Sequence, residues 1–249
     1  MRILVVIMMV ILPFITFSQS GFKSNQLRYE RVRDAYQTKE NTVKKYLENA
    51  GIKDYNFQMF IRIFKHEKCV EIWVKKTSEN GYTHLIDYDI CSSSGDLGPK
   101  RKQGDAQVPE GVYYINRFNP VSNFHLSLGL NYPNSSDLVR ANANNPGGDI
   151  FIHGSCVTIG CVPLTDDKIM ELYILAVEAK EHGQSQIPVH IFPFKMKEER
   201  FDAFLEMDEY KNHQNFWNEL KPVYLFFEEK KKVPIIRILS NGKYELVSQ

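Results

Sequence analysis

The stretch 150–166 constrains this chain more than any other. It begins with Ile150, Phe151 and Ile152, an apolar run of the kind that forms a buried strand. The run ends at His153-Gly154, passes through a loop of small residues, and reaches Gly160-Cys161. A helix is expected next, with Thr165 at its N-cap and Asp166 and Asp167 in its first turn. A chain with this order must carry a strand, a tight loop and a helix in close succession, with His153 and Cys161 at the lip of the core.

That pair has a chemical reading. A thiol is mostly protonated at neutral pH, and a neighbouring imidazole can take its proton and make it a nucleophile. Glycines beside both residues, Gly154 and Gly160, leave the backbone open, so the N–H groups of Gly160 and Cys161 are candidates to hold a developing oxyanion. The bland alternative is a buried strand-end histidine and an inert core cysteine, the usual fate of either residue alone. Both in one glycine-bracketed loop favour catalysis. Thr158 would hydrogen-bond within the loop or to a substrate.

These residues also carry a resemblance. His153-Gly154 followed by Thr158-Ile159-Gly160-Cys161-Val162 resembles the active-site signature of the L,D-transpeptidase (YkuD-type) catalytic domain family, and its short spacing is most similar to the YafK-like branch. The segment 104–113, with Gly104-Asp105 and Pro109-Glu110-Gly111, is similar to the family's upstream motif. Asn123-Phe124-His125-Leu126 and Tyr132-Pro133-Asn134 fit the same branch. The resemblance covers about 57–193. The chain departs from the commoner members at Ile159, where they carry His, and at Pro163, where they carry Arg or Asn.

The resemblance implies a mainly β catalytic domain with flanking helices, a β-sandwich-like fold with one helix after the nucleophile. It implies thiol acyl transfer on peptidoglycan stem peptides, with Cys161 as nucleophile, His153 as base and a backbone carbonyl in the 154–158 loop orienting the imidazole. The acyl-enzyme would pass to an amine acceptor, giving a cross-link or a wall-linked protein, or to water, giving hydrolysis. His125, Tyr132 and Asn134 are weaker candidates for substrate contact. An exported binding module without turnover is the rival class, and the intact His153/Cys161 pair argues against it. A papain-type protease would need its cysteine before its histidine.

The first twenty residues read as a secretory leader: Arg2, then an apolar run over 3–17 broken by Pro13 and Thr16, then small residues at Ser18 and Ser20. The run is too short for a membrane span. Export makes the four cysteines, 69, 91, 156 and 161, worth pairing. If Cys161 stays free, Cys69, Cys91 and Cys156 supply one bridge, and nothing in the sequence chooses it. A Cys156–Cys161 bridge would silence the site. No cysteine or histidine spacing suits a metal, and no cofactor is expected. A net charge of +1 gives no reason to expect nucleic acid or an anionic membrane as partner.

Residues 21–56 read as a polar helical lead-in, and 57–193 as the catalytic domain. Strands are expected over 59–64, over 70–74 with period-two alternation, and over 82–90 beyond an Asn80-Gly81 turn. Others are expected over 112–115, 124–130 and 188–194, the last closing the sheet. Lys100-Arg101-Lys102 reads as a solvated loop, and 133–148 as a long loop of the substrate groove. Residues 194–249 read as a small α/β extension, helical over 201–207 and 216–220, then strand-like over 223–227 and 233–239.

Overall fold

The computed structural model describes residues 21–141 and 145–247; the leader expected over 1–20 lies outside the described residues. Helices α1 (Phe22–Gln26) and α2 (Glu30–Asn49) form the lead-in. The strands β1 (Phe57–Phe64), β2 (Cys69–Lys76), β3 (Thr83–Asp89), β4 (Gly111–Asn119) and β5 (Ser127–Leu130) follow. Next come α3 (Ser135–Arg140), β6 (Phe151–His153), β7 (Val162–Pro163), α4 (Asp166–Glu181) and β8 (Ile187–Phe192). The chain ends with α5 (Glu198–Glu206), a 3-10 turn (Asp208–His213), α6 (Gln214–Lys230), β9 (Ile235–Ile238) and β10 (Tyr244–Val247).

Eight strands make one sheet in the order β3-β2-β1-β8-β4-β5-β6-β7. The sheet curls until its edges meet: beyond β3, the Cys91 N–H donates to the Pro163 carbonyl of β7 at 3.1 Å. The fold is thus mainly β with flanking helices, and α4 follows Cys161 as expected. The strand over 188–194 does not close the sheet. It lies in the middle, parallel to β1 and antiparallel to β4. A parallel partner needs a long crossover, here the rest of the domain.

One face of the sheet packs on α4, whose Ile169 and residues 172–177 are buried together with Ile61, Ile72, Ile152 and Val162. Glu178 is buried in the same layer because the Tyr36 hydroxyl (2.8 Å) and the Lys23 ammonium (2.6 Å) of the lead-in donate to it. Burial holds the Tyr36 hydroxyl far above its ordinary pKa, with the Glu178 carboxylate adding to it.

The other face explains why β1 is buried almost without alternation. Residues of α5, α6 and β10 cover it, with Trp217, Leu220, Val223 and Tyr224 packed on Phe64, Phe192 and Phe194. Arg62 points into this layer and is held by Glu71 (3.3 Å) and Glu228 (2.6 Å) beneath the rings of Phe64, Tyr224 and Phe227. Trp217 Nε1–H donates to buried Glu110 at 2.8 Å, which also pairs with Lys65 at 3.0 Å.

Several local expectations change. Residues 223–227 are helical rather than strand, because Leu220, Val223, Tyr224 and Phe227 fall on one buried face of α6. The loop 133–148 contains α3, started by a capping box between Asn134 and Asp137. Lys100 is buried, not solvated: its ammonium binds the Asp105 carboxylate at 2.5 Å and the Lys102 carbonyl at 2.9 Å. The strand expected from 124 begins at Ser127, since His125 has φ 65° and turns the chain there.

Candidate active site

The strands β6 and β7 run parallel with Ile152 beside Val162 and His153 beside Pro163. Ile152 and Val162 point into the core. Because strand side chains alternate, Phe151, His153 and Cys161 turn to the opposite face. Cys161 stands two residues before the position level with His153, about 6–7 Å along the strand direction. Among the described residues no hydrogen bond joins the thiol to the imidazole. The thiol instead sits 3.4 Å from the Phe151 N–H and 3.6 Å from the Asp149 carbonyl.

His153 is buried, with Nδ1 2.5 Å from the Gly154 carbonyl. A ring N–H at Nδ1 donates to that carbonyl, so the lone pair is left on Nε2. The orienting carbonyl expected in the 154–158 loop is thus in place. The Phe124 ring lies 4.7 Å from the imidazole. Burial pushes the imidazole pKa below its ordinary value, and the Gly154 carbonyl opposes this. Burial also pushes the Cys161 thiol up, opposed by the Phe151 N–H and reinforced by the Asp149 carboxylate. Burial thus disfavours the charged form of each group.

The loop between them is held at each end. A Cβ on Gly154 would come 2.6 Å from Asp166 Oδ1 and 3.0 Å from both His125 Cβ and Ile169 Cγ2, so a side chain there would crowd all three. Asp166 Oδ1 accepts from the Ser155 N–H at 2.8 Å, while Thr165 occupies the N-cap position without a side-chain cap. Thr158 Oγ1 accepts from the Cys161 N–H (2.9 Å) and the Gly160 N–H (3.3 Å) and donates to the Cys161 carbonyl (2.8 Å). The two amides assigned to an oxyanion are therefore aimed at Thr158. Gly160 has φ 124° and packs on the Gln107 carbonyl.

The middle of the loop is tied down covalently. Cys91 and Cys156 form a disulfide with their Cα atoms 5.4 Å apart, and Cys69 and Cys161 are free. This settles the pairing that the sequence left open and leaves no Cys156–Cys161 bridge. A cavity of about 220 Å³ opens beside Cys161, lined among others by Ile63, Ser94, Val108, Val162 and Tyr210. Tyr210 belongs to the C-terminal segment.

The three weaker candidates have other surroundings. Tyr132 is buried, and its hydroxyl donates to the Pro146 carbonyl at 3.0 Å. Asn134 caps α3 and donates to the Val112 carbonyl (3.0 Å) and the Tyr244 hydroxyl (2.9 Å). Both are engaged inside the fold rather than presented to a substrate. His125 lies against Gly154, its carbonyl held by Arg31 of α2 at 2.7 Å and its Nε2 buried without a partner. Sequence reading missed Asp149, whose carbonyl meets the thiol, and the role of Asp166 in the loop. Asp149 stands two residues before β6, which is a signal. Among the described residues no group of His, Cys, Asp and Glu could hold a metal ion.

The curled sheet thus carries a free thiol and a carbonyl-anchored histidine at the ends of two paired strands. The family model described as YkuD, the L,D-transpeptidase catalytic domain, matches residues 61–191, and the chain belongs to that family. The chain is 37% identical over 199 residues to the YafK protein of Escherichia coli (strain K12), covering 77% of each chain. The YafK protein of Escherichia coli O157:H7 matches equally. Among solved structures, the helical cell shape determining protein Pgp2 of Campylobacter jejuni aligns with TM-score 0.44 and 16% identity, over 78% of this chain and 79% of that one. Bd1075 of Bdellovibrio bacteriovorus aligns with TM-score 0.39 and 20% identity, over 67% and 58%.

Proposed function

We propose that the chain is an exported cysteine acyl-transfer enzyme of peptidoglycan stem peptides, with Cys161 as nucleophile and His153 as base. The observation that carries this is the placement of the free thiol and the carbonyl-anchored imidazole on one face of two paired strands. The free Nε2 of His153 takes the thiol proton as the substrate carbonyl closes the gap. Sulfur attacks that carbonyl, and the tetrahedral oxygen competes with Thr158 for the Gly160 and Cys161 N–H groups. Collapse breaks the amide bond, the imidazolium protonates the departing amine, and a thioester remains on Cys161. In the second half His153 deprotonates the acceptor. An amine gives transpeptidation, and water gives hydrolysis.

Two features support export. The leader expected over 1–20 is one, and the Cys91–Cys156 disulfide, a bond at home in oxidising compartments, is the other. Among the described residues no helix is long and apolar enough to cross a membrane.

The test is mass spectrometry of muropeptides incubated with the mature protein and with Cys161→Ala. Tetrapeptides, cross-linked dimers and protein-linked stems are all offered. Loss of a terminal residue with a new cross-link identifies a transpeptidase, and release of stems without new linkage a hydrolase. Identical untouched profiles from both proteins refute the enzyme reading and bring a binding module forward.

A further inference from the structure

Asp149 and Phe151, whose backbone carbonyl and N–H meet the Cys161 thiol, also hold one exposed guanidinium. Arg117 lies 3.3 Å from Asp149 Oδ1, and its guanidinium carbon is 5.2 Å from the centre of the Phe151 ring. Strand register explains the approach. A register shift after Ile115 sets Arg117 level with Gly129, and Gly129 is level with Phe151. Gly129 carries no side chain to separate them: a Cβ there would come 3.0 Å from Arg117 Cβ and 3.1 Å from Phe151 Cε1. Arg117 therefore lies across the bare glycine onto the ring beside the nucleophile.

Its ion pair is loose. The side chains of Arg117 and Asp149 are 56% and 76% exposed, and such pairs contribute little net stability, so an incoming anion displaces Asp149 at low cost. Other arginines are committed elsewhere: Arg62 to Glu71 and Glu228, Arg101 to Asp137, Arg140 to Glu219, and Arg31 to loop carbonyls. A planar guanidinium on an aromatic face suits a carboxylate bound through two parallel hydrogen bonds.

We propose that Arg117 is the specificity-determining residue of this site and seats a free carboxylate of the acyl-donor peptide beside Cys161, exchanging its bond to Asp149 for one to the substrate. The proposal rests on Cys161 being the nucleophile.

The test compares two alkylating agents of similar size and opposite character, anionic iodoacetate and neutral iodoacetamide, reading Cys161 and Cys69 separately by peptide mass. Cys69 is the internal reference, free and remote in sequence from the site. Wild type should show an iodoacetate-to-iodoacetamide rate ratio at Cys161 about tenfold above that of Arg117→Gln, the loss expected for one charge-assisted contact. Arg117→Lys should fall between, and Asp149→Asn should raise the ratio. An unchanged ratio in Arg117→Gln overturns the clamp. If Cys161 in wild type resists both reagents while unfolded protein reacts, the nucleophile reading fails instead. The clamp is then judged by binding alone. Cys161→Ala should hold a tetrapeptide about tenfold more tightly than Cys161→Ala/Arg117→Gln, with no difference for a peptide whose carboxylates are amidated. Equal affinities for the free carboxylate peptide overturn it.

Discussion

Removing the Cys91–Cys156 bridge tests whether the site loop is held by the covalent tie or by packing alone. The bridge closes a loop of 65 residues in sequence separation. The chain-entropy relation for a loop of that size gives about 14 cal/mol/K lost from the unfolded ensemble, or about 4 kcal/mol at 25 °C. For a chain of this length that corresponds to a fall in Tm of roughly 10 °C. The variant is Cys91→Ala/Cys156→Ala, compared with its parent in a Cys161→Ala background so that no free thiol can attack the bridge. Guanidinium unfolding followed by fluorescence of Trp73 and Trp217 gives the midpoint and slope. A loss near 4 kcal/mol supports the entropic account, and a smaller loss with a shallower slope reports residual structure in the unfolded chain. A loss under about 1 kcal/mol with an unchanged slope, in a parent whose mass proves the bridge present, refutes the reasoning. With Cys161 intact, the same double substitution should lower turnover, because Cys156 lies in the loop between His153 and Cys161.

Three other outcomes follow from the geometry. Gly154→Ala places a methyl 2.6 Å from Asp166 Oδ1; it should cost about 1–3 kcal/mol by overpacking and slow alkylation of Cys161, and a normal Tm with normal reactivity would contradict it. Burial raises the Cys161 pKa and lowers that of His153, so the thiolate fraction at a given pH is below that of a free thiol. Alkylation of Cys161 should therefore climb steadily from pH 6 to 9, whereas a plateau beginning below pH 7 would mean a preformed ion pair. His190 is buried beside Arg62, and burial foremost pushes its pKa down to about 3 from 6.5. Its contribution to stability is complete above pH 6.5 and declines as the pH falls toward 3, since the unfolded chain takes the proton first. Between pH 7 and 4.5 the loss should be about 2–3 kcal/mol by denaturant titration, and His190→Phe should abolish that part; an unaltered pH slope in the variant counts against it.

The residues around Cys161 were legible because their signals are local. An apolar run bounded by His153-Gly154, a Gly160-Cys161 turn and acidic residues after Thr165 specify strand, loop and helix within a few positions, and β6 and α4 lie there, while the short β7 carries no mark of its own. The β1–β3 meander was readable for the same reason, through alternation and the Asn80-Gly81 turn. Misreadings occurred where local pattern is ambiguous or outvoted. Val223, Tyr224 and Phe227 are residues that favour strands, yet they fall at helical spacing on the face that α6 buries against the sheet. The helix α3 is too polar and short to show periodicity, with Leu138 and Val139 both exposed; its one sequence mark is the Asn134–Asp137 capping box.

By itself the sequence determined which chemical groups are present and which lie close along the chain: His153 next to Gly154, and Thr158 three residues before Cys161. Tertiary structure alone decided which cysteine bridges which, that β8 runs beside β1 in the middle of the sheet, and that Arg117 reaches the Phe151 ring across Gly129. Periodicity, capping and turn chemistry act over a few residues, so they are written locally. The other contacts join segments tens of residues apart, and they exist only because strand register and the curl of the sheet bring them to one place.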